Sequence, residues 1–244
     1  MPPEFTPLSV ILFFAVVGFL FVLTVMGLAR ILQNNQVPNF SAVLYQVVLG
    51  MIAWIGLLMF LSLKGVFHRM DVFPPRIMFA VVATMGFIAI LAVNRRFGQT
   101  LRTINPAWLI WPQVFRILVE IVLWLNYENG DTPIQMTFEG LNFDILAGIS
   151  APIIAWLAYG QGRQRHGLAL VWNFVGLALL LNILTIAVLS TPAVGVLEPE
   201  NTFIGYFPFA LLPGFVAPYA MLLHVVSIRQ LIILRREQKR NSAE

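Results

Sequence analysis

Gln113, Arg116 and Glu120 have the clearest chemical reach in this sequence: an amide, a permanent cation and a carboxyl at i, i+3 and i+7 inside an otherwise apolar stretch. At the α-helical period the three lie within about 60° of one another and form one polar stripe. An ionised side chain at the bilayer centre costs about 2.5 to 3.5 kcal/mol on insertion scales, so it faces a bundle interior or water and takes a partner. Arg116 and Glu120, four residues apart, are expected to pair with each other. In one reading Glu120 is a proton or cation site, Arg116 its counter-ion or an anion ligand, and Gln113 a group that orients solute or water. In the other the pair is a neutralised structural staple that fixes helix packing, with Asn173 or Asn182 as a further partner.

Other polar residues fall in apolar runs. His224 is the only histidine inside them and is read as an interhelical hydrogen-bonding group, with proton relay to Glu120 as the alternative. Asn173 and Asn182, nine residues apart, point to roughly opposite helix faces. Asn173 is taken as a cavity position and Asn182 as an interhelical contact. Pro213, Gly214 and Pro218, followed by Tyr219, mark a bend where backbone carbonyls are freed, which suits a hinge or a solute site. The binding residues expected from the sequence are therefore Gln113, Arg116, Glu120, Asn173, Tyr219 and His224. No catalytic or metal-ligating set is assigned, because one buried histidine cannot supply the three or four ligands a metal needs. His68 and Asp71 lie close in sequence but form no acid–base constellation.

The chain lacks the H-E-x-x-H, G-x-S-x-G, Walker A and dinucleotide signatures. It also has no cysteine, which removes disulfides and thiolate chemistry. Pro112-Gln113 resembles the dipeptide of small two-repeat sugar and amino-acid transporters, but it occurs once and no internal repeat accompanies it. A retinal Schiff base needs a lysine in the last helix, and the two lysines, Lys64 and Lys239, lie outside the apolar cores. No family is assigned on these grounds, and no cofactor is called for.

The elements that must position these residues follow from composition. The chain has 244 residues, 59% of them hydrophobic and 11% charged, and a mean hydropathy of +0.84. A soluble domain is about half apolar and about a quarter charged. The expected fold is all-α, a polytopic bundle of seven transmembrane helices at roughly 7–30, 40–63, 73–94, 106–127, 143–160, 168–190 and 207–234. Residues 1–234 then form one membrane domain and 235–244 a basic cytoplasmic tail. Between the fourth and fifth spans, Asn129-Gly130 signals a turn, and Ile134, Met136 and Phe138 alternate as a short strand would.

Eleven of the fifteen Lys and Arg fall on one side of this arrangement: Arg30, Arg95, Arg96, Arg102, Arg163, Arg165, Arg229, Arg235, Arg236, Lys239 and Arg240. Lys64, Arg69 and Arg76 fall on the other, with most acids, Asp131, Glu139 and Asp144 among them. By the positive-inside rule the N-terminus lies outside and the C-terminus in the cytoplasm, with a bacterial plasma membrane as the expected location. The positive charge reports topology rather than nucleic-acid binding. The leading functional expectation is a transporter or permease for a small solute, proton or cation. A receptor, sensor or assembly subunit with a membrane-protein partner is the alternative, and a membrane-embedded lipid enzyme the third.

Overall fold

A computed structural model describes residues 3–241 of the chain. Residues 1–2 and 242–244, the last of which include Glu244 of the expected tail, lie outside the described residues. About 75% of the structure is helical, with no strand among the described residues. The helices are α1 (Pro7–Asn34), α2 (Phe40–Leu63), α3 (Ile77–Val93), α4 (Arg95–Thr100), α5 (Ala107–Ile110), α6 (Phe115–Glu128), α7 (Ile145–Tyr159), α8 (His166–Leu189) and α9 (Ala217–Asn241). Six helical stretches are long and apolar enough to cross a membrane, or seven if α3 and the helix bent away from it count as one span.

Each break has a local cause. The Thr6 side chain caps α1 by accepting from Ser9 N at 3.3 Å, with Pro7 in the first turn, where its missing N–H costs nothing. α3 has 17 residues, about 26 Å of rise. It stops where Asn94 turns extended and accepts from Phe97 N at 3.0 Å, so that the following helix starts anew at an angle of 65°. Pro112 has no N–H for the Trp108 carbonyl. The expected span over 106–127 is accordingly split into α5, a 3-10 turn over Trp111–Val114, and α6. Ahead of α9, Leu212–Val216 forms a π-turn beginning beside Pro213. The stretch expected to alternate as a strand is instead a 3-10 turn, Ile134–Met136, because the loop folds back into the bundle and has no neighbouring edge with which to pair.

The bundle is held together along α8 and α9, α1 and α6, α3 and α9, and α7 and α8. α2 is peripheral, burying only Leu58 and Ser62. It nevertheless supports α9: Trp54 Nε1 donates to the Gly214 carbonyl at 3.0 Å, a carbonyl that Pro218, four residues on, cannot serve. Arg229 of α9 closes α3, donating to the carbonyls of Leu91 and Asn94 at 2.7 Å each, where a helix end leaves acceptors free and favours positive charge.

Connections gather at two ends. At one, Asn129 donates to the Glu4 carbonyl, Ala193 N to the Met70 carbonyl and Gln135 to the Pro199 carbonyl. At the other, Asn35 meets Thr103, Gln230 donates to the carbonyls of Leu101 and Ile104, and Arg102 pairs with Glu237 at 3.1 Å. α9 continues through most of the basic tail to Asn241. Large apolar side chains, among them Leu49, Ile52, Phe60, Phe79, Phe87 and Phe174, are exposed on the outer faces of α2, α3 and α8.

Trp54→Phe removes one hydrogen bond to a carbonyl with no α-helical donor and keeps an aromatic ring. A loss of about 1 kcal/mol is expected, read as a lower thermal unfolding midpoint in lipid nanodiscs. An unchanged midpoint would show that the Gly214 carbonyl has another donor.

Candidate functional site

α6 carries the polar stripe into the centre of the bundle. Gln113 just before it and Arg116 and Glu120 on it are at most 1% exposed. Arg116 does not pair with Glu120. Its guanidinium forms a two-pronged ion pair with Asp144, Nε donating to Oδ2 at 2.5 Å and Nη2 to Oδ1. Helical side chains lean toward the N-terminus, and Arg ahead of an acid at i+4 is the weaker order for a pair. Arg116 thus reaches away from Glu120 toward α7. Asp144, which the sequence placed among the solvated acids of the loop, is buried at the N-cap position just ahead of α7, where the helix dipole also favours its charge.

Glu120 is held by a residue that sequence reasoning passed over. Asn142 Nδ2 donates to both Glu120 oxygens, at 2.8 and 2.7 Å, and to the Met136 carbonyl at 2.9 Å. The Asp144 N–H donates to Asn142 Oδ1 at 3.0 Å, which fixes the amide so that its nitrogen faces Glu120. The loop over 129–144 therefore dips into the bundle and delivers Asn142 and Asp144 together, each to one charge of α6.

On its far side Arg116 Nη1 lies 2.9 Å from His224 Nε2. Arginine only donates, so Nε2 accepts, and the network assigns the ring proton to Nδ1, 3.0 Å from Asn173 Oδ1. Asn173 Nδ2 in turn donates to Ser227 Oγ at 2.9 Å and to the Ala169 carbonyl at 2.8 Å. Gly176 makes room for this: a Cβ there would come within 2.6 Å of His224 Cε1, and its carbonyl accepts from Arg116 Nη2 at 3.4 Å. Hydrogen bonds thus run from Glu120 through Asn142, Asp144, Arg116, His224 and Asn173 to Ser227, linking α6, α7, α8 and α9.

Five of the six expected binding residues join this network. Gln113 is its loosest member, with Oε1 3.5 Å from Arg116 Nη1 and Nε2 without a hydrogen-bond partner among the described residues. Tyr219 stands apart, sharing a 2.8 Å hydrogen bond with Thr24 of α1. Asn182 donates to the Leu141 carbonyl at 2.8 Å and has no part in the cluster. His68 stacks on Tyr206 at 4.0 Å. Its neighbour Asp71 accepts from Arg69, an exposed pair that holds the Asp71 carboxyl below the usual carboxylate range.

Beside the charged cluster is a cavity of about 70 Å³. Its surface is almost wholly apolar, with Arg116, Glu120 and Asp144 at its edge. Val119 and Leu123 of α6, Leu180, Ile183 and Leu184 of α8, and Leu212, Pro213 and Val216 of the π-turn form the apolar remainder, with Met136 and Ile204 from the loops. No group of three or more His, Cys, Asp or Glu that would hold a metal occurs among the described residues. Asn142, Asp144, Ser227 and Gly176 are the site residues the sequence did not single out. The one local signal was an Asn-x-Asp spacing across the start of the predicted fifth span.

Removing one member of the buried ion pair strands the other's charge. Asp144→Asn is therefore expected to cost about 3 to 5 kcal/mol, whereas Arg116→Gln combined with Asp144→Asn should recover much of that loss. Unfolding midpoints of both variants in nanodiscs check this. Equal losses in the single and double variants would show that the pair is not coupled.

Residues 72–232 match a family described as a domain of unknown function, DUF8737. The matched segment runs from the connection before α3 into α9 and includes every member of the charged network. No curated protein and no solved structure matches the chain. Since the match covers well over half of its length, this chain belongs to the DUF8737 family.

Proposed function

We propose that this chain is a seven-span protein of a bacterial plasma membrane, with its N-terminus outside and its C-terminus in the cytoplasm, acting as a permease-like carrier of a small solute or ion. What supports the spanning arrangement is the exposed apolar exterior together with the charge at the two ends. The end with Arg95, Arg96, Arg102 and the basic tail holds most of the cations, as the positive-inside rule requires of a cytoplasmic face. The seventh span is α3 with its bent continuation, which carries Arg95 and Arg96 along the cytoplasmic surface.

The observation that carries the transport reading is that two interrupted helices meet at a cavity bordered by the charged cluster. α6 enters it from the Pro112 turn and α9 from the π-turn at Leu212–Val216. Discontinuous helices around a buried polar site are the construction by which membrane carriers bind ions and solutes, and irregular backbone at membrane depth is tolerated where it lines a cavity. At about 70 Å³, against about 300 Å³ or more for an ordinary ligand pocket, the cavity has room only for a very small species in this conformation. A larger solute enters only when the loop over 129–144 lifts Asn142 and Asp144 away from α6.

The receptor, sensor or assembly-subunit reading is favoured by a different observation, the internal pairing of Arg116, Asp144, Glu120 and His224 with one another or with Asn142 and Asn173. Thermal unfolding in nanodiscs against a panel of ions and small metabolites separates the two. A ligand at a hundred times its Kd stabilises by about 2.7 kcal/mol. A carrier is expected to be stabilised by at least one species in wild type and not in Glu120→Gln, and that species should cross proteoliposomes. Stabilisation by none of them would favour the subunit reading. Because the chain has no cysteine, orientation can be read with single labels. Glu200→Cys should react with an impermeant thiol reagent in intact cells and Gln99→Cys only after permeabilisation, and the reverse pattern would overturn the topology.

A further inference from the structure

We infer that the species bound at Glu120 is a proton, held in a closed site rather than conducted through a pore; this rests on the carrier reading and identifies what the carrier couples to. The starting point is charge balance. The core of the bundle holds one guanidinium, Arg116, and two carboxyl groups, Asp144 and Glu120. Asp144 takes both prongs of the guanidinium, so Glu120 is the carboxyl left over. Its hydrogen-bond donor is a neutral amide, that of Asn142, which spreads its two hydrogens over three acceptors. A buried carboxylate without a counter-ion is costly, and one positive charge at its oxygens neutralises the cluster.

The surroundings of Glu120 select which positive charge. Of the elements packed against it, α6 brings Arg116, the start of α7 brings Asp144, and α9 brings His224, whose Nε2 is occupied by Arg116. α8 and α1 bring no titratable group to it. The remaining cavity wall is aliphatic: Val119, Leu123, Leu180, Ile183 and Leu184. Hard cations bound by protein take about six or more oxygen ligands, whereas the acceptors on offer here are the two oxygens of one carboxyl, each already accepting from Asn142. A proton needs only one of them.

Arg116 then decides between binding and conduction. Within the hydrogen-bonded network the guanidinium stands between the carboxyl groups and His224. It accepts no proton, and its fixed positive charge repels cations, as a fixed arginine does in pores that exclude them. The proton on Glu120 therefore leaves by the way it came, unless the bundle rearranges, which is the behaviour of a coupling carboxyl.

Infrared difference spectra of the protein in nanodiscs, recorded as pH is stepped, test this through the carbonyl stretch of a protonated carboxyl. A band is expected in wild type that is absent in Glu120→Gln and unaffected by exchanging sodium for potassium or choline at fixed pH. Should Glu120→Gln fail to fold, Glu120→Asp supplies the assignment: the band should respond to carbon-13 glutamate in wild type and to carbon-13 aspartate in the variant. A band independent of residue 120, or one removed by sodium or potassium, would overturn the inference. Proteoliposomes holding a pH-sensitive dye should leak protons no faster than empty liposomes, and a leak abolished by Glu120→Gln would show a pore. The two readings fail separately. Solute flux that is indifferent to Glu120→Gln sinks the proton assignment and leaves the carrier, whereas a Glu120 band without flux of any solute sinks the carrier and leaves the proton site.

Discussion

A guanidinium buried in an apolar bundle has to be neutralised and all its donors have to be placed, and much of the tertiary structure meets that requirement. Arg116 is 1% exposed, and taking such a cation out of water costs several kcal/mol after relaxation unless a well-aligned anion and further acceptors are provided. The anion comes from Asp144 at the start of α7, the acceptors from His224 of α9, the Gly176 carbonyl of α8 and Gln113 of the 3-10 turn. One side chain thus ties the packing of α7, α8 and α9 to α6. Moving any of these helices strands a charge or a donor, so the requirement specifies their arrangement more sharply than apolar packing alone, which tolerates repacking.

Small residues let this happen. Gly176 opens the face of α8 to the His224 ring, and Gly148 lets α7 lie against α6, where a Cβ would come within 3.0 Å of Ile117 N and 2.9 Å of Ile117 Cγ1. Gly214 accepts the same closeness from Leu58 of α2. Close approach through small residues combined with interhelical hydrogen bonds is how helices associate where apolar burial does not drive them together. The three glycines and the polar network are two parts of one packing solution.

The helix interruptions belong to the same arrangement. Proline at 112, 213 and 218 removes backbone donors near the cavity, and the Gly214 carbonyl that Pro218 leaves is met by Trp54 of α2. The interrupted helices place non-ideal backbone beside the charges. An ordinary structural staple needs no such cavity, which is why the charge cluster and the helix breaks together, rather than either alone, motivate a carrier with a coupling proton.

Much of the architecture was legible in the sequence, because apolar runs of about 20 residues and the prolines and asparagines between them depend on local chemistry alone. α2 and α8 begin and end close to where the hydropathy places them. The departures lie at the Asn94 bend, the Pro112 turn and the π-turn, where backbone hydrogen bonding rather than hydropathy sets the boundary. The sequence alone also determined that Gln113, Arg116 and Glu120 share a face, since that is helical periodicity. It did not determine their partners. Asp144 reads in sequence as one more acid in an acidic loop, and Asn142 as one more turn residue, because nothing local says that the loop folds inward. Only tertiary structure decided that Arg116 takes Asp144 instead of its helical neighbour and that Glu120 is left facing a cavity. A buried charge is satisfied by whichever group the packing brings into alignment, and that alignment is a property of four helices and a loop together.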